Sequence, residues 1–418
     1  MSDGVQLHRR RDSCRACGAG GLELFLDLGS QPLANAFLHS PAEFAGEPAF
    51  PLALYLCHDC GLVQLADVIA PEALFRNYIY VTGTSETMAA HNRAYAGTVA
   101  QWLGLGPGDL VVEAASNDGS LLACFQQQGS RVLGVEPALN LAELARGRGI
   151  PTEAVFFGPE TAARLRAAHG PARAVLGNNV LAHVDDPRGF LAGARSLLAD
   201  DGLVIVEVPY LGELLRRLEY DTVYHEHLSY FSISALLRLA GDAELRVVRI
   251  DQVPVHGGSL RLYAAPAIAG RDHAADVLAA AAAEREAGLT APARWHRFAA
   301  DVERHRTALR ELLTRLQGEG RTLAAYGAPA KGNTLLNYCG IGVELLPYTV
   351  DRNPLKVGCF TPGMHLPVLP VESLPERRPD VLVVLAWNFA EEIMRQQRAH
   401  TERGGRFLLP LPVPQLLD

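Results

Sequence analysis

Lysine is almost missing from this 418-residue chain: Lys331 and Lys356 are the only two, and nearly all other positive charge is arginine. A net charge of −8 gives no basic field, and with it no reason to expect nucleic acid or an anionic membrane surface as a partner. No apolar run reaches the roughly 20 residues that cross a bilayer. The opening MSDGVQLHRRRD has basic residues but no apolar stretch behind them, so a signal peptide is not expected and a cytoplasmic protein is. No internal repeat is present. The glycine pattern of dinucleotide sites, GxGxxG, is also missing.

What remains is an ordinary globular composition, 49% hydrophobic and 20% charged. The length suggests two or three domains at about 100–200 residues each. Four regions can be read: 1–80 with paired cysteines, 81–266 and 319–418 with alternating strand-like and helix-like segments, and 267–318, Ala- and Arg-rich and helical by period.

Seven cysteines include two CxxC pairs, Cys14/Cys17 in CRAC and Cys57/Cys60 in CHDC. Four thiolates suit one tetrahedral Zn²⁺, and with no position left open the metal would be structural. A redox role would need only one pair. Gly18 and Gly61 follow the knuckles, where a tight turn could aim backbone N–H groups at sulfur. Cys124, Cys339 and Cys359 read as buried or incidental.

The segment DLVVEAASNDGSLLACF reads as a strand ending in Glu113, a loop of small residues through Ser116 and Asn117, and a helix from near Ser120. Such a loop lets a ligand approach the backbone and the free N–H groups of the helix. It resembles the first loop of class I S-adenosylmethionine (SAM) methyltransferases. The next strand, RVLGVEP, ends in Glu136, an acid placed to accept from both hydroxyls of a ribose. A third strand ends near Asn178 and Asn179, and a fourth at Pro209. All four ends are expected on one edge of a parallel sheet. RVVRID and SLRLYAA are later strand candidates.

The stretch EYDTVYHEHLSYFS gathers Tyr224, His225, Glu226 and His227. Three readings compete: a metal site with His183, a packed polar loop, or the acid–base end of an active site. In a regular strand Glu226 would point away from both histidines, which weakens the metal reading. Histidine is the side chain best poised for proton transfer near neutrality, and a tyrosine can donate to an oxyanion. HGGS, starting at His256, is another loop compatible with close ligand approach. RTLAAYGAPAKGNTLL reads as strand, loop and helix but departs from a Walker A loop, because Lys331 precedes Gly332. Lys331 and Asn333 at that helix start are candidate phosphate or sugar contacts, with a solvated Lys331 as the plain alternative. The second Rossmann-like unit could be a redundant cofactor domain, a dimerisation module or half of a substrate site.

Taken in order, CRAC…CHDCGLVQL, EAASNDGSLL, GVEPALN, NNVLAHV, YDTVYHEHLSYFS, HGGSLR, YGAPAKGNTLLNYCGIG and DRNPLKVG…PGMHLPV resemble the zinc-containing C-methyltransferases of nucleotide-linked deoxysugars. The resemblance runs over nearly the full chain. It departs at Ala114–Ala115, where relatives often carry glycine or a bulkier residue. It implies an α/β protein with a zinc-binding domain, a SAM-binding domain of class I type, a helical connector and a C-terminal Rossmann-like domain. It further implies SAM and structural zinc, and a dTDP-linked 4-ketosugar substrate methylated at C3, with C5 the alternative, in branched deoxysugar and antibiotic biosynthesis. By resemblance His227 is the base, Glu226 orients it from a loop, Tyr224 and His183 bond the sugar or its enolate oxygen, and Tyr78 lines the sugar pocket. Glu113, Ser116, Asn117, Glu136 and Asn178 would hold the cofactor. A sugar-nucleotide dehydrogenase or epimerase using NAD is the competing enzyme class, and a non-catalytic zinc scaffold a third. No motif fixes the oligomeric state, and a monomer is the simplest expectation.

Overall fold

The computed structural model describes residues 7–75, 86–255, 257–268 and 272–417. Its central sheet has seven strands, in spatial order Leu245–Val253, Ser259–Pro266, Leu198–Pro209, Ala172–Asn178, Leu110–Ala114, Arg131–Val135 and Thr152–Glu153. Ser259–Pro266 runs antiparallel to both its neighbours, and every other pair is parallel. The four strands expected from the sequence therefore end on one edge. Leu110–Ala114 is buried throughout, as a strand covered on both faces must be. Tyr95, Phe125 and Ile150 pack on one face of the sheet, and Phe190, Leu191 and Leu236 on the other.

The N-terminal module is a four-stranded sheet, and one of its strands comes from far along the chain. Leu22–Pro32, Ala49–Cys57 and Val63–Leu65 are completed by Ser229–Tyr230. This module is wedged between the two halves. Cys14, Cys57 and Leu62 share a core with Phe231 and Ile233, while Phe25, Leu54 and Leu56 share another with Trp295, Leu335 and Leu366. So small a sheet gains its apolar burial from its neighbours.

A second sheet of six strands follows: Val368–Pro370, Thr349–Asp351, Leu323–Tyr326, Val381–Val384, Arg406–Leu409 and Gln415–Leu417, parallel except for the last. The region between the sheets, read from sequence as one helical stretch, is two helices, Ala275–Glu286 and Pro292–Gly318. Gly288 at φ 81° ends the first, and Pro292 opens the second, where its missing N–H costs nothing. Glu284 of the first helix accepts from the N–H groups of Ile233 at 2.8 Å and Ser234 at 3.1 Å, a carboxylate at the positive end of the helix Ile233–Asp242.

The long helix buries Trp295, Phe298, Val302, Leu309, Leu313 and Leu316 at helical spacing. Trp295 is fully buried, its ring 5.1 Å from that of Phe25 and its N–H donating to the Leu289 carbonyl at 2.8 Å. Replacing it opens a cavity under the N-terminal sheet. Trp295→Ala is expected to cost about 3–5 kcal/mol in a urea titration; a loss under about 1 kcal/mol, at the floor of core truncations, would show that this contact does not hold the halves together.

Candidate active site

A cavity of about 720 Å³ opens along the C-terminal edge of the central sheet and is lined on the far side by loops of the second sheet. That volume is within the usual range for small-molecule sites. Glu113, Ser116, Asn117, Glu136 and Asn178 all line it, with His183, Tyr224, His227 and Lys331. Tyr78 and His256 lie outside the described residues.

The first loop carries strain. Ala115 and Asn117 sit at φ 55° and 51°, and Asn179 on the neighbouring strand end at φ 52°. Left-handed backbone costs a residue with a Cβ about 1–2 kcal/mol, and such strain gathers at ligand sites. Ser116 fits there because residue 134 is glycine: a Cβ would strike Ser116 Oγ and stand 2.9 Å from Thr152 Oγ1. Glu136 accepts from the N–H groups of Asn117 and Ala138, each at 2.8 Å. Burial pushes its carboxyl up, and those two N–H groups oppose this. Each of its oxygens keeps a lone pair for a further donor.

Glu113 is buried, and its Oε2 has no partner; Oε1 meets only the Asn178 amide, at 3.4 Å. Burial holds its carboxyl well above the usual range. Asn178 Oδ1, Asn179 Oδ1 and Ser116 Oγ are orphaned beside it. Buried acceptors without donors are expensive, and a ligand bearing an ammonium group and hydroxyls would satisfy them. SAM carries both, so this edge fits it.

YHEH is a turn, as a base-orienting role would need, and not a strand. Each nitrogen of the His227 ring has a hydrogen-bond partner: Nδ1 lies 2.9 Å from the Thr222 carbonyl and Nε2 lies 2.8 Å from the Tyr224 hydroxyl. A carbonyl only accepts, so in the neutral ring Nδ1 carries the hydrogen and Nε2 the lone pair. Tyr224 then donates to Nε2, its ring centroid 4.0 Å from that of the imidazole and tilted 35° to it. The orienting contact expected of Glu226 is thus made by the Thr222 backbone. Glu226 is buried off the cavity wall, with the Asn35 amide donating to it at 2.6 Å. His183 stands 4.8 Å from His227, ring edge to face. Burial lowers its pKa to about 4, a backbone hydrogen bond to Glu226 only partly offsetting this, and its Nδ1 has no partner. His225 turns its Nε2 to the carbonyls of Phe50 and Pro51, each at 3.2 Å.

Lys331 lies over the Trp387 ring at 4.7 Å, at the start of the helix Ala330–Cys339. Asn333 is not at the cavity: it is fully buried, one turn into the helix, and its amide donates to the Ala34 carbonyl at 2.7 Å. A contact to substrate is therefore replaced by a tie to the N-terminal module.

Three groups on the wall were not anticipated. Glu207 receives two hydrogen bonds from Arg261, at 2.8 and 2.9 Å, and faces His91 at 3.2 Å. Burial raises the Glu207 carboxyl, but His91 and Arg261 together hold it below its ordinary value. The signal was one charge in each of two apolar segments, VIVEVP and SLRLYAA, which pair in register. Lys356, the third, donates to the Ala328 carbonyl at 2.7 Å and lies 5.1 Å from the Phe37 ring.

At the N-terminal module the ligand atoms of Cys14, Cys17, Cys57 and Cys60 lie within 4.8 Å of one another. No other group of three or more histidines, cysteines or acids converges in this way among the described residues, so YHEH does not form a metal site there. All seven cysteines are free thiols. Gly18 and Gly61 take φ 79° and 71°. Their N–H groups close on the Cys14 and Cys57 carbonyls, each at 2.9 Å, and not on sulfur as the sequence suggested. Four converging thiols fit a closed tetrahedral zinc.

Family models match over three spans: a zinc-binding domain over residues 14–75, a methyltransferase domain over 88–250 and a C-methyltransferase C-terminal domain over 254–412. C-methyltransferase NovU of Streptomyces niveus is 40% identical over 407 residues, 97% of each chain. Among solved structures, magnesium protoporphyrin IX methyltransferase of Synechocystis PCC 6803 with bound SAM is 18% identical over 44% of this chain and 86% of its own, with a TM-score of 0.34. The Burkholderia thailandensis 1,6-didemethyltoxoflavin-N1-methyltransferase is 23% identical over 44% and 80%, also at 0.34. At those scores the two structures add no weight.

Cys57→Ser is expected to reduce bound zinc from one ion per chain to below about 0.1, since a three-thiolate site is a poor structural site, and to lower the melting temperature. Metal analysis checks it, and full zinc in the variant would remove the four-thiol assignment.

Proposed function

The chain belongs to the SAM-dependent C-methyltransferases with an N-terminal zinc-binding domain, and we propose that it methylates a carbon beside a ketone on a nucleotide-linked deoxysugar. The substrate is a dTDP-linked 4-keto-6-deoxysugar and the position C3. Residues 1–80 form the zinc domain, 81–266 the methyltransferase domain, 267–318 a helical connector, and 319–418 a domain that helps bind the nucleotide-sugar. Family membership removes the dehydrogenase and the non-catalytic scaffold from consideration.

The observation that carries the reading is the His227 ring. Its Nδ1 is tied to a carbonyl, which leaves Nε2 as the lone-pair nitrogen, and the ring lines the same cavity as Glu113 and Glu136. Carbon is a poor nucleophile until an adjacent ketone lets it become an enolate. His227 Nε2 takes the proton from that carbon, and the Thr222 carbonyl steadies the imidazolium that results. Tyr224 holds the ring in place until the substrate C–H displaces its hydroxyl from Nε2. His183, kept neutral by burial, accepts a hydrogen bond from a sugar hydroxyl at Nδ1. Glu113 receives the ammonium group of SAM, Glu136 the ribose hydroxyls, and Ser116, Asn117 and Asn178 the remaining polar atoms. SAM, when bound, supplies an electrophilic methyl group. Lys331, beside the N-terminus of the helix Ala330–Cys339, meets the diphosphate, and Tyr78 belongs to the sugar pocket.

Proton exchange tests this without methyl transfer. In deuterated water, with S-adenosylhomocysteine bound, a dTDP-4-ketosugar should exchange the hydrogen beside its ketone, read by NMR. His227→Ala should slow exchange and turnover by about 10²–10⁴-fold while binding S-adenosylhomocysteine normally. Exchange at the wild-type rate in that variant would refute the base assignment, and the position of the methyl in product decides between C3 and C5.

A further inference from the structure

Removing a proton from the carbon beside the ketone leaves negative charge on the carbonyl oxygen. The proton goes to His227 Nε2, the C–H pair becomes a carbon–carbon π bond, and the carbonyl π pair moves onto oxygen. That oxygen needs a hydrogen-bond donor, and the groups around His227 offer few. The His227 Nδ1 hydrogen is spent on Thr222 and the single Tyr224 hydroxyl hydrogen on Nε2. His183 hydrogen-bonds the Glu226 backbone, and its unpartnered Nδ1 is then the lone-pair nitrogen. The cluster therefore presents lone pairs to the substrate, which suits a C–H proton and a sugar hydroxyl but repels an oxyanion.

Among the described residues both lysines of the chain line the cavity and no arginine does. They are differently placed. Lys331 lies on Trp387, beside the buried acids Glu219 and Asp221. Lys356 is half-buried on the wall between the second sheet and the N-terminal module, with its ammonium group desolvated, and it feels the charge of Glu226, the residue before His227. Of its three ammonium hydrogens, one is used by the Ala328 carbonyl. Asp351, its other acidic neighbour, accepts from the N–H groups of Ala328 and Asn353 at 2.7 and 2.8 Å. We propose that Lys356 is a catalytic residue, donating a hydrogen bond to the ketone oxygen and holding the enolate that His227 generates.

This rests on the enolate reading above and extends it. The desolvated ammonium of Lys356 suits one developing oxyanion, because a charge–charge contact is strongest where water is excluded. Burial lowers the Lys356 pKa, Asp351 and Glu226 opposing this, which makes it the more willing donor of its hydrogens. The ketone oxygen gains little from it before proton loss and much after, the differential that accelerates a reaction.

The experiment compares wild type, Lys356→Met, Lys356→Gln and Tyr224→Phe in the same exchange assay, with the melting temperature and S-adenosylhomocysteine affinity measured for each. Lys356→Met should slow exchange at saturating substrate by ~100-fold or more, with kcat falling alongside and KM changing less than about threefold, since a group that acts only on the transition state moves kcat. Lys356→Gln, which keeps a neutral donor, should retain more exchange and covers the case in which the methionine variant does not fold. Normal exchange at saturation with a raised KM, or a weaker affinity for dTDP, would overturn the assignment and make Lys356 a diphosphate contact. Loss of exchange in Tyr224→Phe with none in either Lys356 variant would pass the oxyanion to Tyr224 and overturn it too. Absence of exchange in wild type with any dTDP-4-ketosugar would instead bring down the enolate reading, and this inference with it.

Discussion

The proposed chemistry depends on one hydrogen bond, the His227 Nδ1–H to the Thr222 carbonyl, at 2.9 Å. It decides which nitrogen is basic and where that nitrogen points. Everything that holds Thr222 and His227 in place serves it. Thr222 ends the short turn Tyr220–Thr222, which is bolted into the C-terminal half. The Tyr220 hydroxyl lies 3.0 Å from His305 Nδ1 and 3.3 Å from Cys339 Sγ, and Trp387 donates to Asp221 at 2.6 Å. On the other flank the N–H groups of Leu228 and Ser229 share the Ala182 carbonyl, at 2.7 and 3.1 Å, and Ser229–Tyr230 pairs with Val63–Leu65. The turn is pinned by all three parts of the chain at once.

The zinc module therefore does more than fold itself. Arg15, inside the first knuckle, is fully buried, and its guanidinium bonds Asp185 at 3.1 Å, Gln64 at 3.2 Å and the Leu65 carbonyl. Arg9 and Arg11 reach the same carboxylate. Asp185 lies two residues beyond His183 and on the cavity wall. A buried guanidinium requires a matched anion and correct geometry, so knuckle and His183 loop constrain each other. With Val63–Leu65 behind His227, the thiol cluster anchors the loops of both histidines.

Local features were legible in the sequence, and distant pairings were not. Strand ends, small-residue loops and paired cysteines are encoded within a few positions, so Glu113, Glu136, Asn178 and the four thiols came out where spacing put them. Asn333 looked like a ligand contact because it opens a helix; only the packing of Ala34, 299 residues away, makes it a structural tie. Glu226 looked like the partner of its neighbour, yet its amide donor is Asn35, 191 residues distant, and a backbone carbonyl does the orienting. Backbone acceptors carry no sequence signature at all. Lys356 was notable only for scarcity, and its neighbours on Asp351 and Glu226 come from separate domains.

The scarcity of lysine has a physical reading. A guanidinium stays charged wherever it is put, whereas an ammonium is compact and adjusts its pKa to its surroundings. The chain keeps arginine on its surfaces and in the Glu207 and Asp185 pairs, and places its two lysines on the cavity wall. The cavity is polarised as a result. Orphaned acceptors and the acids Glu113 and Glu136 stand at the methyltransferase edge, and Lys331 and Lys356 at the C-terminal edge. In the proposed reaction a cationic methyl donor meets an enolate and both charges vanish, so a site poor in water favours the step. Such a site must still pay for separating those charges beforehand. In that reading the acids at one wall and the ammonium groups at the other do so, each stabilising the opposite sign, with His227 on the same cavity.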